Sequence, residues 1–240
     1  MSKITKLPTA LAIIVGVGHG TGSAGDSSIN LARSYAVALL ARSKDKLEQI
    51  SREIQTKGGT ADSFPCDVSS EQSIKSTFRA IKTRFDKIPL RVAVFNSSSS
   101  FQMKPFLESS RDDLETSLNV SVLGAFSFAQ SVLSELLSHQ EGGSLIFTGA
   151  TASIRGSANV GCFAAGKFGL RALSQSLARE FGPKGIHVAH VIIDGVIDTP
   201  NVTEWLGPAK TSDTAYVHLH QQDKNCWTQE LDLRPCHEKF

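Results

Sequence analysis

Leu11-Ala12-Ile13-Ile14-Val15-Gly16-Val17-Gly18-His19-Gly20-Thr21-Gly22 joins five apolar residues to a loop with glycine at every second position. A short, continuously apolar, glycine-bounded run reads as a strand covered on both faces, as in a parallel sheet. Working outward, the apolar run at 35–41 predicts a second strand. Leu47, Ile50 and Ile54 predict a helix over 43–57, closed by Gly58-Gly59. A weaker strand falls at 61–65. A helix over 69–85 carries Ile74, Phe78, Ile81 and Phe85 on one stripe, with Ser69 or Ser70 as its cap. A strand at 90–95 precedes a long helix over 111–138 that buries Leu114, Leu118, Val122, Phe126, Ala129, Val132 and Leu136. Strand 144–148, helix 162–181 and strand 187–193 repeat the unit. Beyond Thr199 the pattern weakens to short helices at 201–206 and 214–219 and a last strand at 228–233. This alternation predicts a doubly wound parallel α/β sheet of about seven strands with helices on both faces. One domain is expected to fill residues 1–240, with 199–240 forming a substrate-covering segment and the last strand.

Glycines directly after a first strand permit positive φ and let the backbone approach a pyrophosphate, which the next helix would face with its N–H groups. Gly16, Gly20 and Gly22, with His19 as a further donor, therefore read as a dinucleotide loop. No Gly-Lys-Ser/Thr follows, which disfavours a Walker-type loop. The second strand ends in Ala41-Arg42-Ser43 with no acid to take a ribose hydroxyl. Arg42 instead suits a 2′-phosphate, favouring NADP(H), unless it is only an exposed arginine opening a helix. Asp67 either accepts from the adenine amine or caps its own turn.

The chain has 240 residues, 25 basic and 23 acidic, with a net charge of +2. Such a balance gives no reason to expect nucleic acid or an anionic membrane as partner. The unbroken apolar runs fall short of the ~20 residues of a bilayer span. Lys3 and Lys6 mimic a signal peptide, but the following run meets the glycine turn, so no targeting is expected. Cys66, Cys162, Cys226 and Cys236 form no Cys-x-x-Cys pair, consistent with reduced thiols in the cytoplasm.

Gly16-xxx-Gly20-x-Gly22, Arg42, Asp67-Val68, the Asn96 turn, the Lys167 helix and Asp194-Gly195-Val196-Ile197-Asp198-Thr199 together resemble the short-chain dehydrogenases/reductases. The resemblance implies a Rossmann-type sheet, NAD(P) binding, hydride transfer with a carbonyl or alcohol, and a homodimer or homotetramer. It places Asn96 and Lys167 at the cofactor, with Val196 and Thr199 flanking the nicotinamide. The family pairs Tyr and Lys four residues apart on one helix face, the lysine lowering the tyrosine pKa. Here that frame reads Phe163-Ala164-Ala165-Gly166-Lys167, Ala150 takes the helper-serine position, and Ser121 takes that of the structural asparagine. Thr151, beside Ala150, is the candidate stand-in. Two further departures are Gly25 inside the expected phosphate-facing helix, and Asn96-Ser97-Ser98-Ser99-Ser100 in place of Asn-Ala-Gly.

These readings converge on an NADP(H)-dependent oxidoreductase with an altered catalytic centre, acting on a small or medium apolar carbonyl, alcohol or enone. The alternative is a non-catalytic NADP(H)-binding sensor or scaffold. Val122, Phe126, Leu133, Phe168, Leu173 and Leu177 spread apolar surface over a wide arc of the fourth and fifth helices, as subunit contact or as core.

Overall fold

A computed structural model describes residues 8–17, 28, 30–32, 34–139, 141–193 and 214–234. Its strands are β1 (Leu11–Val15), β2 (Ala36–Ala41), β3 (Thr60–Pro65), β4 (Leu90–Phe95), β5 (Gly143–Thr148), β6 (Ile186–Ile193) and β7 (Glu230–Leu233). They form one sheet in the order β3-β2-β1-β4-β5-β6-β7, every neighbouring pair parallel. The helices are α1 (Lys44–Thr56), α2 (Glu71–Arg84), α3 (Arg111–Leu118), α4 (Gly124–Leu137), α5 (Gly161–Phe181) and α6 (Thr214–His220).

Alternation of side chains along each strand feeds two cores. Ile13, Val15, Ala38, Leu40, Phe95 and Phe147 pack on one face, under α2, α4 and α5. Ala12, Ile14, Val37, Leu39, Val94 and Ile146 pack on the other, under α1 and α6. Both faces being covered is why β1 and β2 are apolar at every position. The chain thus has the Rossmann-type α/β architecture, and its direction of winding reverses between β1 and β4. In open parallel sheets ligands bind beyond the carboxyl ends of strands at such a reversal.

The helix expected over 111–138 is interrupted. A π turn, Asn119–Leu123, joins α3 to α4 and inserts an extra residue into the helical repeat. The buried face therefore runs through Ser117 and Ser121 to Ala125, Phe128, Ala129 and Val132. Leu114 and Phe126, expected inside, are exposed. By length and composition Arg111–Leu137 is apolar enough to cross a membrane, but the apolar face of α4 is packed into the core. Leu133 also belongs to that core and Leu173 and Leu177 pack against it, whereas Leu123, Phe126 and Phe168 remain exposed.

Smaller corrections concern ends. Tyr35 precedes β2 instead of opening it, and its hydroxyl meets His220 Nε2 at 2.9 Å while His220 Nδ1 meets Ser144 Oγ at 2.8 Å. The last strand is confined to Glu230–Leu233 because residues 228–229 turn into it. Ser70, not Ser69, caps α2 through Ser73 N–H at 3.2 Å. The expected helix at 201–206, and residues 199–213 of the segment expected to cover the substrate, lie outside the described residues.

Candidate active site

Beyond the carboxyl ends of β1, β2, β3 and β4 lies a cleft of about 400 Å³, lined by Gly16, Arg42, Asp67, Asn96, Thr116 and Asn119 among others. Gly16 shapes its floor. Its φ is +86°, and a Cβ there would lie 2.5 Å from Ser97 N and 2.6 Å from Asn96 C. Only glycine lets the end of β1 lie this close to the end of β4. Asn96 fastens the same junction: its N–H donates to Val15 O at 2.9 Å and its side-chain amide to Gly16 O at 3.3 Å. Asn96 is buried, so its part in the cleft is to hold the floor.

Arg42 stands exposed at the β2 end of this cleft and makes no ion pair among the described residues. Asp67 faces the same space, and its Oδ1 is already engaged, accepting from Ser69 N–H at 3.0 Å and Ser69 O–H at 2.7 Å. Those bonds, with the nearby charge of Arg42, hold its carboxyl below the usual carboxylate range. Turn capping is thus the observed role of Asp67, leaving Oδ2 for a ligand. The remaining expected cofactor residues, His19, Gly20, Gly22, Val196 and Thr199, lie outside the described residues, as does Gly25.

A second cleft of about 200 Å³ adjoins the first, sharing Ser99, Ser100 and Thr116. Lys104, Asp113, Asn159, Val160, Cys162 and Phe163 complete its walls. Lys104 Nζ and Asp113 Oδ2 pair at 2.7 Å, and the lysine holds the Asp113 carboxyl down at about 2. Asn159, in the left-handed region at φ 66°, gives its carbonyl to Lys104 N–H at 2.7 Å and ties this wall to the start of α5. Neither this ion pair nor Asn159 was legible from sequence spacing, because the tertiary fold alone brings 104, 113 and 159 together.

Helix α5 carries Phe163 and Lys167 one turn apart on one face. The phenyl ring packs edge-on against Phe101, centroids 5.2 Å apart at 87°. Lys167 Nζ lies 5.7 Å from the Phe163 centroid and donates to Thr148 O at 3.1 Å. Lys167 is 3% exposed, and burial brings its pKa down to about 8. The ring of the acid position is therefore in place without its hydroxyl. Ala150 supplies no side-chain donor; its N–H bonds Ser153 Oγ at 3.1 Å. Thr151 opens the 3₁₀ turn Thr151–Ser153, half-buried and outside the lining of both clefts. Ser121, in the π turn, is buried with a hydroxyl that finds no partner among the described residues.

The Lys167 shift has a consequence for stability. The unfolded chain keeps this proton to 10.5 and the folded chain only to about 8. Between those values the unfolded state binds more protons, so stability rises with pH across the window. Below pH 8 both states are charged and the whole cost of burial, about 3 kcal/mol, is present. Lys167→Met should therefore raise stability at pH 7 by about 1–2 kcal/mol once the lost bond to Thr148 O is counted. Urea unfolding at pH 7 to 10 checks this: the gain over the parent protein should shrink as pH climbs.

The sequence matches the profile of the short chain dehydrogenase family over residues 10–208. Carbonyl reductase family member 4 of Danio rerio is 26% identical over 189 residues, 79% of this chain and 76% of that protein. The crystal structure of a short-chain dehydrogenase from Rhodopseudomonas palustris is 31% identical, with a TM-score of 0.80, covering 95% of this chain and 99% of that one. A metagenomic short-chain oxidoreductase solved with NADP has a TM-score of 0.82 at 21% identity, covering 97% and 99%.

Proposed function

The chain belongs to the short-chain dehydrogenase family, and from that premise we propose that it is an NADP(H)-dependent oxidoreductase with an altered catalytic centre. The observation that carries the reading is the cleft across the ends of β1 to β4, floored by Gly16 and bearing Arg42 with no ion-pair partner among the described residues. Its size suits an organic cofactor, and a guanidinium at the end of β2 suits a 2′-phosphate. NADP in the related metagenomic enzyme supports the same choice. When bound, the nicotinamide supplies or accepts the hydride.

The protein's own groups then have defined tasks. Lys167 holds the ribose side of the cofactor and, with its pKa brought down to about 8, is matched to exchanging a proton near neutrality. Thr151, next to Ala150, is the proposed stand-in for the helper serine, from a turn that lies outside the lining of both clefts. The substrate is a small or medium apolar carbonyl, alcohol or enone with one polar end. Val160 and Phe163 offer the apolar wall of the smaller cleft, while Ser99, Ser100 and the Lys104–Asp113 pair face the polar end. An enone or similarly polarised acceptor makes the least demand on a centre without a tyrosine.

Arg42→Ala tests the cofactor assignment. A charge-assisted bond to phosphate contributes about 1.5–3 kcal/mol, so NADPH affinity should fall roughly 10- to 100-fold while NADH affinity stays put. Equal losses for both would remove the 2′-phosphate role. The non-catalytic sensor or scaffold remains a second reading, favoured by Phe163, Ala150 and Ser121 at the family's functional positions. We also propose a cytoplasmic homodimer or homotetramer joined through Leu123, Phe126 and Phe168, which are exposed. Light scattering should return a multiple of the 25.8 kDa chain mass.

A further inference from the structure

The Lys104–Asp113 pair in the smaller cleft is half open to solvent, with side chains 37% and 29% exposed, and each half is anchored from outside the cleft. Lys104 is held through its main-chain N–H, which donates to Asn159 O at 2.7 Å. Asp113 is held by the capping box of α3: its Oδ2 accepts from Ser110 N–H at 2.8 Å, and its own N–H donates to Ser110 Oγ at 3.1 Å. Lys104 Nζ bonds the same Oδ2, so Oδ1 accepts nothing among the described residues. An ammonium carries three donors, and Asp113 takes one of them. A free donor and a free acceptor therefore stand side by side on one wall of the cleft. Ser100, Gln102 and Thr116 line the same space, and their side chains make no hydrogen bond among the described residues.

Charge balance decides what this wall accepts. A lone lysine would draw a carboxylate or a phosphate, but this ammonium is already matched by a carboxylate at 2.7 Å. An anion reaching Nζ would also meet Asp113 and be repelled. An apolar group would strip water from a donor and an acceptor and leave both unpaired. A hydroxyl donates and accepts, so two adjacent hydroxyls satisfy Nζ and Oδ1 together.

We propose that the smaller cleft recognises a neutral vicinal diol, Lys104 donating to one hydroxyl and Asp113 Oδ1 accepting from its neighbour. The two residues then set substrate specificity. The proposal rests on the oxidoreductase reading and deepens it, since the polar end of the substrate becomes a 1,2-diol. The carbon skeleton of that substrate lies against Val160 and Phe163. Ser100 and Thr116, shared with the cofactor cleft, mark the side toward which the reacting carbon points. Carboxylated and phosphorylated carbonyls are turned away by Asp113.

Three six-carbon probes, 1,2-hexanediol, 1-hexanol and hexanoate, test this by NMR chemical-shift titration at pH 7 without cofactor. The diol should bind about tenfold tighter than 1-hexanol, as one or two net hydrogen bonds would give, with shifts centred on Lys104, Asp113 and Phe163. Hexanoate should bind no better than 1-hexanol. Asp113→Asn keeps the cap, because an amide oxygen also accepts from Ser110 N–H, but it uncovers the lysine charge. Hexanoate affinity should then rise about tenfold. Lys104→Met should bring the diol down to the level of 1-hexanol, and it decides alone if Asp113→Asn does not fold. A parent protein that binds the diol no tighter than 1-hexanol would overturn the proposal. So would hexanoate affinity unmoved by Asp113→Asn, a diol preference that survives Lys104→Met, or shifts confined to another part of the surface. NADPH titration of the same samples separates the two ideas: failure to bind would defeat the oxidoreductase reading and leave the diol preference to stand on its own.

Discussion

Phe163→Tyr and Ala150→Ser together are expected to raise the kcat/KM for reduction of a simple ketone by about 10²–10⁴, measured as NADPH oxidation. A positioned general acid contributes roughly 10²–10⁴ in rate and an oxyanion-type donor roughly 10²–10³. Residues acting as a unit do not multiply, so the larger of these bounds the gain. The geometry favours recovery because the scaffold for both groups is intact. The Phe163 ring already stands one turn before Lys167 and lines the smaller cleft, and the Ala150 N–H is held by Ser153 Oγ. Ser121→Asn is the harder third change. A Cβ at Gly166 would lie 3.2 Å from Ser121 Cβ, so α5 and the π turn are in close contact there. The pair should deliver most of the gain and Ser121→Asn little more. A rate unchanged in a variant that binds NADPH would favour the sensor or scaffold reading.

Gly16→Ala is expected to cost roughly 2–5 kcal/mol of stability, combining left-handed strain with overpacking, and to abolish NADPH binding. The new methyl would press on Ser97 N and Asn96 C, main-chain atoms that cannot rotate away. Relief would separate the ends of β1 and β4 and break the Asn96 bond to Gly16 O. Gly58→Ala is the matched control. Its φ is +84°, nearly that of Gly16, but a Cβ there meets nothing within 4 Å. Strain without contact should cost about 1–2 kcal/mol and leave NADPH binding intact. Denaturant midpoints for the two variants therefore isolate the close approach; equal losses would show that Gly16 is needed for its dihedral alone.

Local pattern carried the architecture a long way. Five-residue apolar runs bounded by glycine are enough to place β1 and to mark strands covered on both faces, and helical stripes on α1 and α2 survive with ends moved by one or two residues. The phase of α4 was not legible, because the π turn at Asn119–Leu123 adds one residue to the repeat without a local compositional mark. Asp67 was undecided from sequence because adenine recognition and turn capping ask for the same carboxylate; Ser69 two residues on resolves its observed bonding. Sequence spacing alone does not pair His190 with Glu230, since the register between β6 and β7 brings them together. A histidine inside the apolar run Ile186–Ile193 was the available signal, as such a group needs a buried partner.

The central claim is an NADP(H) site across the ends of β1 to β4, and fluorescence titration of the purified protein with NADPH and NADH tests it most directly. Saturable NADPH binding, roughly ten times tighter or more than NADH, is the result the structure predicts. No binding of either nucleotide would contradict it.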